Sequence, residues 1–188
     1  PYSISSSPRG SLQGFYRITV KRSEGGFASA YILDNWKIGT KVISSAPQGQ
    51  FTYERLRDAK TVIGIAGGSG ITPFFSMAQA IADGDEDFNL ILLYGTRTMK
   101  DAIFQDELEK LAQKCPKFTL VNVLSGDPEA ASAHKYEGGA ADRAADEAGC
   151  IEYGFITAEL IRKYAPSGSD YSVFLCGPPA MYAFAGRE

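Results

Sequence analysis

Little in this chain of 188 residues suits the commonest site chemistries. It has a single histidine, His134, so most His-dependent metal sites and catalytic triads are ruled out within the chain. The three cysteines, Cys115, Cys150 and Cys176, are far apart and odd in number. They form neither a zinc-ligand pattern nor a disulfide framework, which makes a reducing cytoplasm the expected setting. No four-cysteine cluster motif is present either. No apolar run approaches the length of a membrane span, and no signal peptide is expected ahead of the first motif. With 19 basic and 22 acidic residues the net charge is −3, which leaves no electrostatic footprint for nucleic acid. The opening Pro1-Tyr2-Ser3 and the closing Ala185-Gly186-Arg187-Glu188 both read as cut, so the interior of a longer polypeptide is expected.

What is present is an ordinary globular balance, 44 % apolar and 22 % charged, in enough chain for one large domain or two small ones. Two textures meet near residue 58. Residues 15–21 alternate apolar and polar side chains, as do residues 28–33. Turn signals lie between them at Glu24-Gly25-Gly26 and after them at Trp36-Lys37-Ile38-Gly39. Short strands spaced by turns predict part of an antiparallel barrel or sandwich. From Thr61 the pattern becomes βαβα. Strands are expected at 61–66, 90–94, 118–124 and 171–176, and helices at 72–82, 101–113 and 157–164. Residues 127–149, rich in Ala, Gly, Asp and Glu, read as a surface excursion with one short helix. Continuous apolar strands separated by helices predict a parallel sheet covered on both faces.

The most informative stretch is Gly67-Gly68-Ser69-Gly70-Ile71-Thr72-Pro73. A strand, a glycine turn and a helix in that order make a phosphate site at a helix N-terminus, because glycines let backbone N–H groups approach an anion. Thr72 reads as the N-cap and Pro73 as the first helical residue. The ordinary dinucleotide fingerprint fails here. Its third glycine would be Pro73, and the acid expected about 20 residues later is absent, since that region is Leu92-Leu93-Tyr94-Gly95.

Gly67 to Pro73 resembles the nicotinamide-binding turn of the ferredoxin–NADP⁺ reductase family. Cys176-Gly177-Pro178-Pro179-Ala180-Met181, after the last strand, resembles that family's second signature. Pro1-Tyr2-Ser3-Ile4-Ser5-Ser6 resembles its flavin motif, arginine-x-tyrosine-serine, with the arginine falling just before Pro1. Gly26-Phe27-Ala28-Ser29 is similar to its glycine-x-x-serine signature, and Pro47-Gln48-Gly49-Gln50-Phe51 to the segment closing the flavin barrel. Each signal is weak alone; their common order is the warrant.

The resemblance implies a fold of α/β plus β class. Residues 1–57 would be the C-terminal part of an antiparallel FAD-binding β-barrel, and 58–188 a five-stranded-type parallel α/β nicotinamide-binding domain with a truncated C-terminus. It further implies that Tyr2 packs on the isoalloxazine and that Ser3 hydrogen-bonds near its reactive nitrogen. Gly26, Phe27, Ala28 and Ser29 would hold the FAD pyrophosphate, with Ile18 and Val20 on the strand beside it. Thr72 would contact the nicotinamide end, with Gly67, Gly68, Gly70, Pro73, Gly177 and Pro178 around the dinucleotide. Cys176 would lie near the hydride-transfer centre, so Ser3 and Cys176 are the candidate catalytic residues. No metal ligand is expected.

In NADPH-dependent relatives a serine-arginine pair after the third strand commonly grips the 2′-phosphate. Ser125-Gly126-Asp127 replaces the arginine with glycine and adds an acid, which tilts the expectation towards NADH. Arg97 pulls towards phosphate, unless it is a solvated charge or pairs with Asp101. The implied activity is an FAD-dependent NAD(P)H reductase with an iron–sulfur or haem partner as acceptor. An electron-transfer subunit with little turnover alone, or a nucleotide sensor without redox chemistry, are the alternatives.

Overall fold

The computed structural model describes residues 2–126 and 150–185. The excursion over 127–149, with its expected short helix, Asp127 and His134, lies outside the described residues. Five strands form one sheet: β1 (Thr61–Gly67), β2 (Asn89–Thr96), β3 (Phe118–Leu124), β4 (Cys150–Tyr153) and β5 (Ser172–Cys176). The described helices are α1 (Pro8–Leu12), α2 (Phe27–Asn35), α3 (Ile71–Ala82), α4 (Gln105–Lys114), α5 (Ala158–Tyr164) and α6 (Pro179–Ala185). The strand order is β4-β3-β2-β1-β5, with every pairing parallel. The expected parallel α/β unit is therefore present, and β4 is an edge strand that the sequence pattern did not announce.

Parallel strands need both faces covered, which is why they are apolar throughout rather than alternating. Val62 and Ala66 of β1 join Leu90, Leu92, Phe118 and Leu120 under Phe74, Phe75 and Ala78 of α3 and Leu108 of α4. Ile63 and Ile65 face the other way, with Leu93, Val121 and Val123, under Leu160 and Ile161 of α5. Odd and even positions thus serve two cores, following the period of two along a strand. Each large side chain so buried contributes about 1.5–3 kcal/mol.

The helix expected at 101–113 starts later. A 3₁₀ turn covers Met99–Asp101, and α4 begins only after Phe104, a non-glycine residue at φ 63°. Its ring stacks on Phe75 with centroids 4.1 Å apart, and this contact holds the left-handed backbone that breaks the helix. Thr157 caps α5, its side chain accepting from the Leu160 N–H at 3.3 Å.

The first 57 residues correct the sequence reading. Residues 28–33, expected as a strand, lie inside α2, with Gly26 as its N-cap. Six residues of apparent alternation are too few to separate a strand from a short helix, and a glycine cap with Asn35 at the last turn favours the helix. Residues 15–21 make one antiparallel bridge, Ile4 to Ile18, extended by the Ser5 N–H donating to the Arg17 carbonyl at 2.8 Å. That bridge is all that represents the expected barrel among the described residues. The turns at Glu24-Gly25-Gly26 and Ile38-Gly39 are where the sequence put them, Gly25 and Gly39 taking φ of 67° and 89°.

Aromatic contacts fasten this segment to the sheet. Phe51 meets Phe74 and Phe174 edge-on at 5.4 and 5.3 Å, and Tyr53 stacks on Phe88 at 4.0 Å. Arg9 donates to the Asp85 carboxylate at 3.0 Å just beyond α3.

Candidate functional site

β1 lies between β2 and β5, and the chain reverses direction at β1, where open α/β sheets bind ligands beyond their carboxyl ends. Both glycine-bearing signatures leave the sheet there. Ala66 is in register with Cys176, so the turn after β1 and the turn after β5 start side by side. They interlock. A Cβ on Gly70 would stand 2.0 Å from the Cys176 carbonyl oxygen, so this close passage accepts only glycine. A Cβ on Gly67 or Gly177 would stand 2.7 or 2.6 Å from the movable end of the Met181 side chain of α6, a milder crowding.

The glycine turn runs as a 3₁₀ turn, Gly68–Gly70, directly into α3, with Gly68 at φ 52°. Gly70 is therefore the N-cap, Thr72 the second helical residue and Pro73 the third, a correction to the expected cap. Thr72 is buried, and its hydroxyl donates to the Ser69 carbonyl at 3.1 Å instead of capping the helix. Pro73 still leaves no intrahelical bond unmade, since the first four N–H groups have no partner in the helix.

A crevice of about 1070 Å³ opens at these turns. Gly67, Gly68 and Pro178 line it, with Arg97, Ser125, Lys21 and Phe155 further round. Tyr94 supports its floor from below. Its ring is fully buried; its hydroxyl donates to the Gly68 carbonyl at 3.2 Å and accepts from the Ile103 N–H at 2.9 Å. Burial pushes that phenol up to about 12, so it stays protonated and works as a strut between the glycine turn and the loop after β2.

Arg97 and Asp101 share the crevice without forming an ion pair. Asp101 is instead taken by Thr98, accepting from its hydroxyl at 2.8 Å and its N–H at 3.1 Å. The Thr98 hydroxyl bond is the main cause of the lowered Asp101 carboxyl. The Gly126 N–H donates to the Arg97 carbonyl at 2.9 Å, and a Cβ at 126 would come within 2.5 Å of that oxygen. Packing against Arg97 therefore fixes a glycine at the position where the arginine of a 2′-phosphate clamp was sought. Cys176 is half-buried, and burial pushes its thiol up, so it stands beside the glycine turn as a neutral thiol rather than a nucleophilic thiolate.

A second cleft, about 660 Å³, lies between the N-terminal segment and α3. Tyr2, Ser3, residues 47–53, Pro73 and Met77 line it. Apart from both lies the N-terminus of α2, whose amides have no side-chain cap. The Ser29 hydroxyl faces inward, accepting from the Ser23 N–H at 3.0 Å and donating to the Gly26 carbonyl at 3.2 Å. Backbone amides, with Phe27 and Ala28 exposed beside them, are what this end offers an anion. Ile18 and Val20 flank the N-terminal segment and line neither cleft.

The family model described as "Oxidoreductase NAD-binding domain" matches residues 65–187, which include both interlocked turns. This chain belongs to that family. Its relatives include NADH-cytochrome b5 reductase 1 of Dictyostelium discoideum, 33% identical over 90% of this chain and 53% of the relative. A flavohemoprotein of Rhodopirellula baltica is 33% identical over 88% of this chain and 39% of the relative. Among solved structures, the cytochrome b5 reductase domain of Ulva prolifera nitrate reductase superposes with a TM-score of 0.62 at 28% identity, over 85% of this chain and 57% of that one. The chain spans about half the length, or less, of these relatives.

Membership in the oxidoreductase NAD-binding domain family bears out the resemblance drawn from the motifs. The structure unites Gly67, Gly68, Gly70, Thr72, Arg97, Cys176, Gly177 and Pro178 at one switch point. Tyr2 and Ser3 fall in the neighbouring cleft, with Pro73 on their side of α3. Sequence reasoning missed Lys21, Tyr94 and Met181. Tyr94 carries a signal that could have exposed it, since a phenol within an otherwise apolar strand must find a partner.

Proposed function

We propose that this chain is the cofactor-binding core of a flavin-dependent NADH reductase. In this reading residues 1–57 belong to a flavin-binding barrel and residues 58–188 hold the nicotinamide dinucleotide. The interlock of the two glycine turns carries the proposal, because it shapes a cradle in which backbone, not side chain, faces the ligand. The nicotinamide end would lie against the turns at Gly67–Gly70 and Cys176–Pro178. Arg97 and Lys21 supply cations for its diphosphate. Glycine at 126 leaves no guanidinium there for a 2′-phosphate, which supports NADH over NADPH.

Uncapped amides at the N-terminus of α2 suit the FAD pyrophosphate, and the cleft around Tyr2 and Ser3 suits a flat conjugated ring. When bound, a flavin accepts two electrons with a hydride and releases them one at a time. The protein's share is orientation and exclusion of water. Tyr94 fixes the turn, Cys176 keeps an uncharged thiol beside it, and Ser3 offers a hydroxyl that can donate or accept. The names of the relatives, a cytochrome b5 reductase and a flavohemoprotein, support a haem as the electron acceptor.

The test is an absorption spectrum of the full chain mixed with FAD, taken anaerobically before and after NADH, then NADPH. Retained flavin bands that bleach faster with NADH are expected. Protein that retains no FAD and oxidises neither nucleotide overturns the proposal.

A further inference from the structure

One element joins the two clefts: α3 begins at the glycine turn, whose Gly67 and Gly68 line the first, and its own Pro73, Ser76 and Met77 line the second. Within its next two turns α3 grips the N-terminal segment that carries Tyr2 and Ser3. The Ser76 hydroxyl donates to the Ser6 carbonyl at 2.7 Å, and the Gln79 amide donates to the Ser5 carbonyl at 2.9 Å. Gln79 also donates to the Phe75 carbonyl at 3.1 Å, which ties its side chain to its own helix. At about 1.5 Å of rise per residue, the two donors stand roughly 8 and 12 Å along the helix from Ile71.

The accepting residues are themselves pinned. Ser5 and Ser6 are buried, at 0% and 5% exposure. The Ser5 hydroxyl meets Thr19 Oγ1 at 2.8 Å, and Ser6 Oγ accepts from the Arg17 N–H at 3.2 Å. Residues 5 and 6 are thus a fixed knot two to four positions from Tyr2 and Ser3, held to a helix that is buried from Ile71 to Phe75. Phe51, Tyr53 and the Arg9–Asp85 pair hold the same segment elsewhere, so attachment does not depend on Ser76 and Gln79.

We infer that Ser76 and Gln79 are positioning residues: through the Ser5 and Ser6 carbonyls they set the spacing between the Tyr2–Ser3 cleft and the glycine-turn crevice. The inference rests on the reductase reading above. It places these two bonds in control of how closely two rings, one in each cleft, approach, and hydride transfer is steeply sensitive to such spacing.

The experiment is rapid-mixing anaerobic reduction of the FAD-loaded full chain across a range of NADH concentrations. Ser76→Ala combined with Gln79→Leu is expected to lower the limiting rate of flavin bleaching about 10-fold. The half-saturating NADH concentration should stay within about twofold, and the long-wavelength charge-transfer absorbance should weaken. Gln79→Leu alone should lower the rate, and Gln79→Arg, which keeps an N–H donor for the Ser5 carbonyl, should hold it at the wild-type value. Arg9→Ala, which removes a tie of the same segment by a side chain that lines neither cleft, should leave it unchanged. An unchanged limiting rate in the double variant overturns the inference, as does an equal loss in Arg9→Ala or loss of FAD in place of loss of rate. Wild-type protein that binds no FAD, or is not bleached by NADH, overturns the reductase reading itself and this inference with it.

Discussion

Residues 61–126 and 150–185 form a sheet with two buried cores, whereas residues 2–57 bury little and leave Leu12, Phe27, Ile38 and Ile43 more than four-fifths exposed. Both stretches carry apolar residues in short runs. The first kind of run closes largely on its own neighbours, because β1, β2 and β3 each pair with a strand one βα unit away and only β5 reaches back to β1. The second kind must find partners across a sheet it cannot build alone. Local pattern therefore becomes structure in one half and stays potential in the other.

The sharpest way to break that contrast is to truncate an aromatic in each half. Phe74→Ala removes a ring that is fully buried between α3 and β1, and should cost about 3–5 kcal/mol. Phe27→Ala, at 83% exposure in α2, should stay within about 0.5 kcal/mol. Denaturant unfolding of the two variants reads both values. A comparable loss at Phe27 would mean that residues 2–57 bury a core of their own in solution.

Glycines give a second, smaller contrast, since two of them are required for different reasons. At Gly70 the obstacle is a neighbour: alanine would put its methyl 2.0 Å from the Cys176 carbonyl, forcing the two turns apart. Gly70→Ala should destabilise the fold by about 1–3 kcal/mol and slow NADH oxidation about 100-fold. At Gly25 there is nothing within 4 Å, and the obstacle is its own φ of +67°. Gly25→Ala should cost only about 1 kcal/mol, the strain of a left-handed alanine, and leave the rate alone. Unfolding curves together with NADH turnover distinguish a clash from a strain.

The same contrast explains what could be read in advance. β3 was legible to the residue, and β1, β5 and α5 to within one residue at each end, because apolar runs, caps and glycine turns are local signals. Residues 28–33 were misread because α2 is exposed and buries only Ser29, so no apolar stripe marks its period. β4 escaped because four residues, Cys-Ile-Glu-Tyr, are too short to show a period and become a strand only by pairing with β3. The two glycine signatures were legible as motifs, while their interlock depends on the β1–β5 register. Tyr94 and Lys21 owe their roles to residues far off in sequence, as do Ser76 and Gln79.

The faintest expected effect concerns the end of the sheet opposite the crevice. Asp87 accepts from both Lys60 and Lys117 there, and these partners hold its carboxyl down to about 2 from the usual 3.8. A carboxyl whose folded value is depressed stabilises the fold above its unfolded value, and that contribution is lost as pH falls through the folded one. The window is therefore about pH 4 down to pH 2. The group is fully exposed, so solvent and salt screen the interaction and the effect is small. Asp87→Asn should flatten the pH dependence of stability within that window and leave it unchanged near pH 7. Added salt should mute the difference between wild type and variant. Because Lys60 precedes β1 while Asp87 and Lys117 precede β2 and β3, this network closes the base of the half that already folds by local rules. A pH slope that Asp87→Asn leaves intact would transfer the acid sensitivity to the other lowered carboxyls, Asp34 and Asp58 before the sheet or Asp101 beside the crevice.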